Sequence, residues 1–256
     1  MARSRSKRHA HPRERYMLRE QRKTDQGIFD EKTMIRLGKF FNKGIISALK
    51  SPIARGKEAD IYIAEPGQAD EVAGQRYVLM KFFRVEASSF HNMLSYIEGD
   101  PRFERQVGRS KESIINTWCK KEFGNLSIAI KAGVHSPAPY MFNGNIIAMQ
   151  FIGEEGMIAP TMNDTKLNEP ERMLDLIIDD IRKLYSYRLV HADISEYNIL
   201  IWNGLPYMID FGQAVSIKHP NAKEFLARDV GNLLKHFRKK YKIKRDAANT
   251  LSYITA

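Results

Sequence analysis

The residues best suited to chemistry in this 256-residue chain lie between His191 and Gly212. Asp193 stands five residues before Asn198, and an apolar run with Asn203-Gly204 at its centre separates Asn198 from Asp210. An Asn-Gly pair between two apolar runs predicts a tight β-hairpin. Folding the chain about that turn brings Asp193, Asn198 and Asp210 together at one end of a two-stranded ribbon.

The types of these three residues fit phosphoryl transfer. A carboxylate and an amide oxygen side by side suit Mg²⁺ (or Mn²⁺), a hard cation that shares oxygen ligands with substrate phosphates. We therefore predict Asn198 and Asp210 as metal ligands, which leaves Asp193 to accept a proton from an attacking hydroxyl. Because Asp210 would also lie beside the γ-phosphate, we predict a second, catalytic role for it as a phosphoryl acceptor. The alternative is an ordinary hairpin with solvated acids at its base.

The order of these residues resembles two protein-kinase motifs, H-x-D-x-x-x-x-N followed by D-F-G. The fuller segments here, HADISEYN from His191 and IDFGQA from Ile209, resemble the RIO family of atypical serine kinases. Within that family they are most similar to the first (Rio-one) branch. The resemblance covers about residues 28 to 240 of the sequence. It implies ATP and Mg²⁺ (or Mn²⁺) as cofactors, serine autophosphorylation, and a role in maturing the small ribosomal subunit.

Composition limits the classes of protein that fit. Hydrophobic residues make up 43% of the chain and charged residues 28%, which is ordinary for a globular protein. No run approaches the roughly 18 apolar residues of a membrane span, and the basic N-terminus lacks the apolar segment of a signal peptide. The single cysteine, Cys119, excludes an internal disulfide. We expect a cytoplasmic protein with no membrane or disulfide partner, and the net charge of +11 favours a polyanionic partner.

The segment Ala54-Arg55-Gly56-Lys57-Glu58 lies between two apolar runs and predicts a strand–turn–strand unit whose tip covers phosphates. A surface hairpin is the alternative, since this segment has one glycine where ordinary kinases use G-x-G-x-x-G. The first RIO branch carries S-T-G-K-E-A at this place, and residues 56–59 match it. Ala54-Arg55 departs from the Ser-Thr of that motif. The resemblance therefore implies a nucleotide-binding loop in which Arg55 supplies a charge contact instead of a hydroxyl.

A strand-like run from Tyr77 to Phe83 is apolar except for Lys81, and a buried lysine needs an anion. The run Lys111–Lys131 has helical spacing, and Glu122 falls inside its apolar stripe, where an unpaired carboxylate would be costly. We predict a Lys81–Glu122 pair, which matches the strand-three lysine and helix-C glutamate of kinases. The alternatives are a lysine that extends to solvent, or pairing with Glu112 at the helix start.

Residues 84 to 110 show no sustained hydrophobic period, and we predict a long loop between the strand and the helix. The first RIO branch carries a flexible loop at this place. Ser110, at its end, is a candidate autophosphorylation site, although any exposed serine would satisfy the same criterion.

The segment that connects the β-rich first half of the chain to the second half is expected to contact the adenine. Two short strands are predicted, Tyr140–Phe142 and Ile146–Phe151, and the following residues correspond to the kinase hinge. The resemblance implies that backbone groups of Gln150 and Ile152 contact adenine and that Met149 lines its pocket. For Met149, ordinary core packing is the alternative.

The second half of the chain is predicted to be mainly helical. Asn168 opens a long helix, and a second helical run after Pro220 contains Asp229, which either caps the catalytic loop or is solvated. Seven Lys and Arg and no acid lie between Lys235 and Arg245. The chain has no A-P-E motif and no long activation segment, from which ordinary kinases build their peptide-docking platform.

These features predict an α+β, two-lobed protein-kinase-like fold, with an antiparallel sheet and a helix in the N-lobe and a mainly helical C-lobe. We assign residues 1–27 to a basic mobile tail and residues 28–151 to an N-terminal helix and the N-lobe. Residues 152–256 form the C-lobe with its basic C-terminal end. The tail and a helix capped by Asp30 leave too little chain before the nucleotide-binding region for the winged helix of the second RIO branch.

The predicted function is that of an ATP-dependent serine/threonine protein kinase or ATPase acting in small ribosomal subunit maturation, with that subunit or its RNA as a partner. A small-molecule kinase of the aminoglycoside-phosphotransferase type shares the H-x-D-x-x-x-x-N pattern. The segment Ser195-Glu196-Tyr197, the GKEA segment and the basic ends argue against it. The remaining alternative is an RNA-associated assembly factor that uses ATP hydrolysis as a switch.

Overall fold

The fold combines an antiparallel sheet in the first half of the chain with mainly helical structure in the second half. The structure is a computed structural model and describes residues 29–85, 90–103, 108 and 110–256. The basic tail predicted over residues 1–27 lies outside these described residues. The predicted α+β, two-lobed kinase-like architecture is confirmed.

The described residues of the first half form three α-helices and a five-stranded sheet with strand order β1-β2-β3-β5-β4, all neighbours antiparallel. Its elements in chain order are α1 (Glu31–Asn42), β1 (Ile46–Arg55), β2 (Ala59–Pro66), β3 (Val78–Phe83), α2 (Phe90–Glu98), α3 (Lys111–Lys131), β4 (Pro139–Asn143) and β5 (Ile146–Gln150). The helix α1 begins where the sequence predicts, because the side chain of Asp30 accepts a hydrogen bond from the Thr33 N–H at 2.7 Å.

Alternation along β3 decides which face of the sheet carries Lys81. Met80 and Phe82 point to the face covered by α1, where they pack with Leu37. Leu79 and Phe83 point to the opposite face and join the main core with residues of α3. Lys81 shares that second face, and it is therefore directed toward α3.

The predicted loop over residues 84 to 110 is wrong in part, because the described residues there include the two-turn helix α2. Met93 and Ile97, one turn apart, are buried in the main core. A helix this short has little intrinsic stability, so its formation depends on that burial rather than on a sequence period.

The second half contains three helices and several short strands: β6 (Gly153–Glu154), β7 (Met157–Ile158), α4 (Pro170–Ser186), β8 (Leu189–Val190), β9 (Ile199–Trp202), β10 (Leu205–Met208), β11 (Val215–Ser216), α5 (Ala222–Tyr241) and α6 (Ala247–Thr255). Helix α4 begins after Glu169, one residue later than predicted. Helix α6, which the sequence analysis did not anticipate, packs on α4 and α5. Among the described residues, no helix is long and apolar enough to cross a membrane.

The hairpin that orders the site has the predicted register. Leu205 pairs with Trp202 across the turn, and Met208 pairs with Ile199. The Ile209 N–H donates to the carbonyl of Asn198 at 3.0 Å, which continues the pairing by one step. This register places Asn198 beside the start of the Asp210-Phe211-Gly212 segment.

Candidate active site

A cleft of about 470 Å³ lies between the sheet and the second half of the chain. Every residue predicted to bind nucleotide lines it: Ala54, Arg55, Gly56, Lys57, Glu58, Lys81, Glu122, Met149, Gln150 and Ile152. Asp210 lines it as well. The sequence analysis did not single out the apolar residues that complete the walls, which are Ala59, Ile61, Leu79, Phe83, Pro137, Ile158, Leu200 and Ile209. The cleft therefore has apolar walls and charged groups at one end, as a nucleotide site requires.

Lys81 is held between two carboxylates at the charged end of the cleft. Its Nζ lies 2.8 and 2.9 Å from the two carboxylate oxygens of Glu122 and 3.1 Å from Asp210 Oδ1. Burial opposes the charge on Lys81, but Asp210 and Glu122 outweigh it and raise the pKa of the ammonium. Burial raises the pKa of Glu122 to about 7, against the opposing effect of Lys81. The predicted Lys81–Glu122 contact is thus present, and the alternative partner Glu112 instead bonds Lys32 and Arg36.

Asp193 and Asn198 lie next to the charged end, because the carbonyl of Asn198 accepts the N–H of Ile209, which lines the cleft together with Asp210. The Nδ2 of Asn198 donates to the backbone carbonyl and to the Oδ2 of Asp193, both at 2.9 Å. Gln213, which the sequence analysis did not assign to the site, donates to the same Oδ2 at 3.1 Å. Burial, together with the nearby Asp210 carboxylate, raises the pKa of Asp193 to about 6. Asp193 is therefore oriented by two amides and is a stronger base than an exposed aspartate.

The backbone around Asp193 and Asp210 includes strained conformations, and a side chain of α5 holds the loop in place. Ala192 and Asp210 both have left-handed conformations, with φ of +64° and +63°. Such conformations in residues other than glycine persist where the surroundings impose them, commonly at active sites. The buried Asp229 accepts the N–H of Ala192 at 2.7 Å and that of Ile194 at 3.0 Å. Asp229 thus caps the catalytic loop on both sides of Asp193, which decides between its two predicted roles.

Helix α3 also holds the segment that follows Asp210. The fully buried Lys121 donates to the carbonyl of Gly212 at 2.9 Å and to that of Ala214. Asn125, one turn further along, donates at 2.8 Å to the carbonyls of Phe211 and Ala214. A Cβ on Gly212 would meet the ring of Trp118 at 2.7 Å, so only glycine permits this approach.

The sequence analysis missed Lys121 and Asn125. Spacing could have revealed them: Lys121 and Asn125 follow Trp118 by three and seven residues, and therefore lie on the helix face that carries the buried Trp118. One face of α3 therefore contacts both the cleft lysine and the backbone after Asp210.

Ser110, the candidate autophosphorylation site, lies at the N-terminus of α3 and not in the cleft. Its Oγ accepts the N–H of Ser113 at 3.2 Å and thereby caps the helix. The side chain is exposed. The structure thus gives it a capping role and does not bring it together with Asp193.

The donor groups fit a magnesium ion that shares its ligands with a nucleotide. The described residues contain no cluster of three or more His, Cys, Asp or Glu side chains that would form an all-protein metal site. Both hydrogen bonds of Asn198 to Asp193 use Nδ2, which leaves its Oδ1 as a potential ligand. The Asp210 carboxylate is about half exposed to the cleft, with 48% of its side-chain area accessible. One amide and one carboxylate oxygen, completed by phosphates and water, is a typical magnesium environment.

The lobes, the cleft and the motifs at its charged end define a protein-kinase-like enzyme. Comparison with known proteins identifies the family within this class. The family model described as RIO domain matches residues 60–250. The chain therefore belongs to the RIO family, and it is a RIO-type, ATP-dependent serine/threonine protein kinase.

Two curated relatives carry the description RIO-type serine/threonine-protein kinase Rio1. The one from Haloferax volcanii is 38% identical over 220 residues, which cover 86% of this chain and 73% of the relative. The one from Thermoplasma acidophilum is 38% identical over 183 residues, which cover 72% of this chain and 96% of the relative. Among solved structures, the Rio2 kinase from Chaetomium thermophilum in an ADP/Mg²⁺-phosphoaspartate complex has a TM-score of 0.65 at 20% identity. That match covers 87% of this chain and 66% of the Rio2 chain, and it supports the fold alone.

Proposed function

We propose that the cleft binds ATP with Mg²⁺ and transfers the γ-phosphoryl group to a serine hydroxyl. The observation that carries this proposal is the arrangement at the charged end of the cleft, where Lys81 contacts both Glu122 and Asp210. Asn198 lies next to this end, since its carbonyl accepts the N–H of Ile209, and its side chain bonds Asp193. Lys81 and Glu122 precede the other three residues by at least 71 positions in the sequence. Their proximity in the fold favours a shared chemical task over separate structural roles.

The adenine would lie against the apolar walls near Met149. The N–H of Gln150 donates to Ala138 at 2.8 Å, and the carbonyl of Ile152 accepts the N–H of Ala159 at 2.9 Å. The hinge groups not used by these two bonds are the carbonyl of Gln150 and the N–H of Ile152. These are one acceptor and one donor, the pair that the edge of an adenine base requires. The tip of the β1–β2 hairpin, residues 55–58, would cover the phosphates.

Phosphates at the charged end would meet Lys81, which Glu122 holds in place. Asn198 and Asp210 would hold the metal ion, which when bound neutralises phosphate charge and orients the γ-phosphoryl group. Asp193 would accept the proton of the serine hydroxyl as the hydroxyl oxygen bonds to the γ-phosphorus and the bond to the ADP oxygen breaks. Asn198 and Gln213 orient its carboxylate for this step.

Asp210 offers a second route for the same phosphoryl group. A carboxylate oxygen of Asp210 would attack the γ-phosphorus, release ADP and form an aspartyl-phosphate that water then hydrolyses. Lys81 holds the pKa of Asp210 below its ordinary value, so the attacking carboxylate is ionised. The similar Rio2 structure, solved with phosphoaspartate, supports the proposal by analogy of fold.

The fate of γ-labelled ATP tests these assignments. Serine transfer places acid-stable, alkali-labile label on protein, whereas an aspartyl-phosphate is labile to hydroxylamine, and hydrolysis releases free phosphate. We expect protein-bound serine label, with a smaller hydroxylamine-labile fraction that Asp210→Asn abolishes. Label that appears solely on an added aminoglycoside would instead support a small-molecule kinase.

We further propose that the partner is the small ribosomal subunit or its RNA, where ATP turnover would act in subunit maturation. Support comes from the net charge of +11 and from the cations at both ends of the sequence, in residues 3–23 and 235–245. If these cations contact RNA phosphates, the logarithm of the binding constant should fall by about 0.7–0.9 per contact for each tenfold rise in salt. Deletion of residues 1–23 should flatten that slope for binding to small subunits. Equal slopes would show that the tail contacts no RNA.

A further inference from the structure

A second cavity, of about 590 Å³, opens between the catalytic loop and α5. We call it the α5 groove, and its lining residues are Asn163, Ser195, Glu196, Asn232, Lys235, His236, Lys239 and Lys240. It shares none of these with the nucleotide cleft. The phosphoryl-transfer steps above do not use it, although its three lysines belong to the basic segment 235–245 that the RNA proposal also invokes.

Positive charge dominates the α5 groove. Lys235 and Lys239 are exposed, and within the described part of the chain their side chains make no hydrogen bond or ion pair. Lys240 Nζ is fixed at 2.7 Å from the carbonyl of Asn163, and it also donates to two further backbone carbonyls. Carbonyls orient this ammonium without neutralising its charge. Glu196 supplies the negative charge among the lining residues, so the groove favours an anion.

The α5 groove adjoins the catalytic base. Asn232 donates to the carbonyl of Ile194 at 3.4 Å, which places this face of α5 against the loop beside Asp193. Lys235 and Lys239 follow Asn232 by three and seven residues, and therefore lie on the same helix face. Ser195 and Glu196 follow Asp193 by two and three residues, a distance of at most roughly 7–11 Å in extended chain. An anion bound in the groove would thus lie within the length of a few extended peptide residues from Asp193, the base that acts beside the γ-phosphoryl group.

The chain offers a protein substrate little of the surface on which kinases usually hold peptides. Kinases usually hold peptides on the long activation segment, whereas here Gln213 to Asn221 is all that separates the Asp210-Phe211-Gly212 segment from α5. We propose that the α5 groove binds an acidic or phosphorylated side chain of the protein substrate, two to four residues from the acceptor serine. This inference rests on the proposed serine transfer by Asp193. It gives that reaction a substrate class, serines flanked by negative charge.

Three serine peptides of equal length test the proposal, with glutamate, alanine or lysine at positions two to four residues from the serine. The measurements are kcat and KM for peptide phosphorylation, and peptide affinity by fluorescence polarisation without turnover, both at low ionic strength where screening is weak. We expect the wild-type protein to favour the glutamate peptide. The double variant Lys235→Ala/Lys239→Ala should raise KM for that peptide by about 3- to 20-fold, as two partly exposed charge contacts are lost. Its KM for the alanine peptide should change less than about twofold.

Two further variants control for folding and for total charge. The double variant Lys131→Ala/Lys223→Ala removes the same charge from exposed lysines outside the groove and should leave KM unchanged. Glu196→Gln should lower KM for the glutamate peptide, an effect that a folding defect would not produce. Equal KM for the three peptides in the wild-type protein, or equal effects of the two lysine pairs, overturns the proposal. So does loss of RNA binding in Lys235→Ala/Lys239→Ala without any change toward the glutamate peptide.

The polarisation measurement separates the groove from the chemistry. If the wild-type protein phosphorylates no peptide but binds the glutamate peptide through Lys235 and Lys239, the groove assignment stands and serine transfer fails. If it phosphorylates all three peptides equally, serine transfer stands and the groove assignment fails.

Discussion

The Lys81–Glu122 pair gives a prediction whose magnitude follows from its geometry. The two side chains are 12% and 2% exposed, and both oxygens of Glu122 lie within 2.9 Å of Lys81 Nζ. Removing one partner of such a buried pair typically costs about 3–5 kcal/mol, because the other charge is left without compensation. Lys81→Ala should cost the larger amount, since it leaves both Glu122 and Asp210 unpaired. Glu122→Ala should cost less, because Asp210 at 3.1 Å remains as a partner for Lys81.

Urea denaturation of the wild-type protein, both single variants and the double variant measures the free energy of unfolding for a complete cycle. We expect a coupling of about 1–3 kcal/mol, with the double variant less destabilised than the sum of the single variants. The exposed pair Lys50–Glu65, at 2.8 Å, is the matched control and should show far weaker coupling. A Lys81–Glu122 coupling no larger than that of Lys50–Glu65 would refute the inference that burial makes this pair a single unit.

Three further predictions concern residues that hold the site in place. Asp229→Asn replaces one of the two carboxylate acceptors by an amide donor that faces the N–H groups of the catalytic loop. We expect the free energy of unfolding, measured by thermal denaturation, to fall by about 1–3 kcal/mol, and kcat at saturating ATP to be lower. Gly212→Ala should destabilise the protein by about 1–3 kcal/mol and weaken ATP affinity, measured by titration, because the added methyl group overlaps Trp118. Burial lowers the pKa of Lys121 to about 7 in the folded protein, below its value in the unfolded chain. Between about pH 7 and 10, Lys121 is therefore mostly neutral in the folded state and protonated in the unfolded state. The contribution of Lys121 to the free energy of unfolding should therefore rise with pH across this window. To test this, the free energy of unfolding is measured at pH 7 and pH 9 for the wild-type protein and for Lys121→Met. We expect the wild-type protein to gain stability relative to the variant at the higher pH.

The convergence of the catalytic residues could be predicted because it depends on local rules. The Asn-Gly turn fixes the register of β9 and β10, and the register fixes the separation of Asn198 and Asp210. The Lys81–Glu122 contact could be predicted for a different reason. Each residue interrupts an apolar pattern, and two buried charges of opposite sign need each other.

Other features depend on contacts that no local pattern contains. Lys121 bonds carbonyls 91 and 93 residues later in the chain, and next to Glu122 it resembles an ordinary solvated lysine in the sequence. Helices α2 and α6 have nine residues each, too few for a reliable hydrophobic period. Their stability comes from tertiary packing, which the sequence pattern does not reveal. The capping role of Ser110, by contrast, is local, because a serine directly before the helix that begins at Lys111 is a favourable N-cap.

Phosphoryl transfer by Asp193→Asn is the most direct test of the central claim, that this cleft phosphorylates serine with Asp193 as the base. The substitution keeps the shape of the side chain and removes its ability to accept a proton. The measurement is the initial rate of acid-stable serine label from γ-labelled ATP, with the affinity for a non-hydrolysable ATP analogue measured on the same samples. We predict a rate lower by about 10²–10⁴-fold and an affinity close to that of the wild-type protein. Serine labelling at the wild-type rate would contradict the account and remove Asp193 from the reaction.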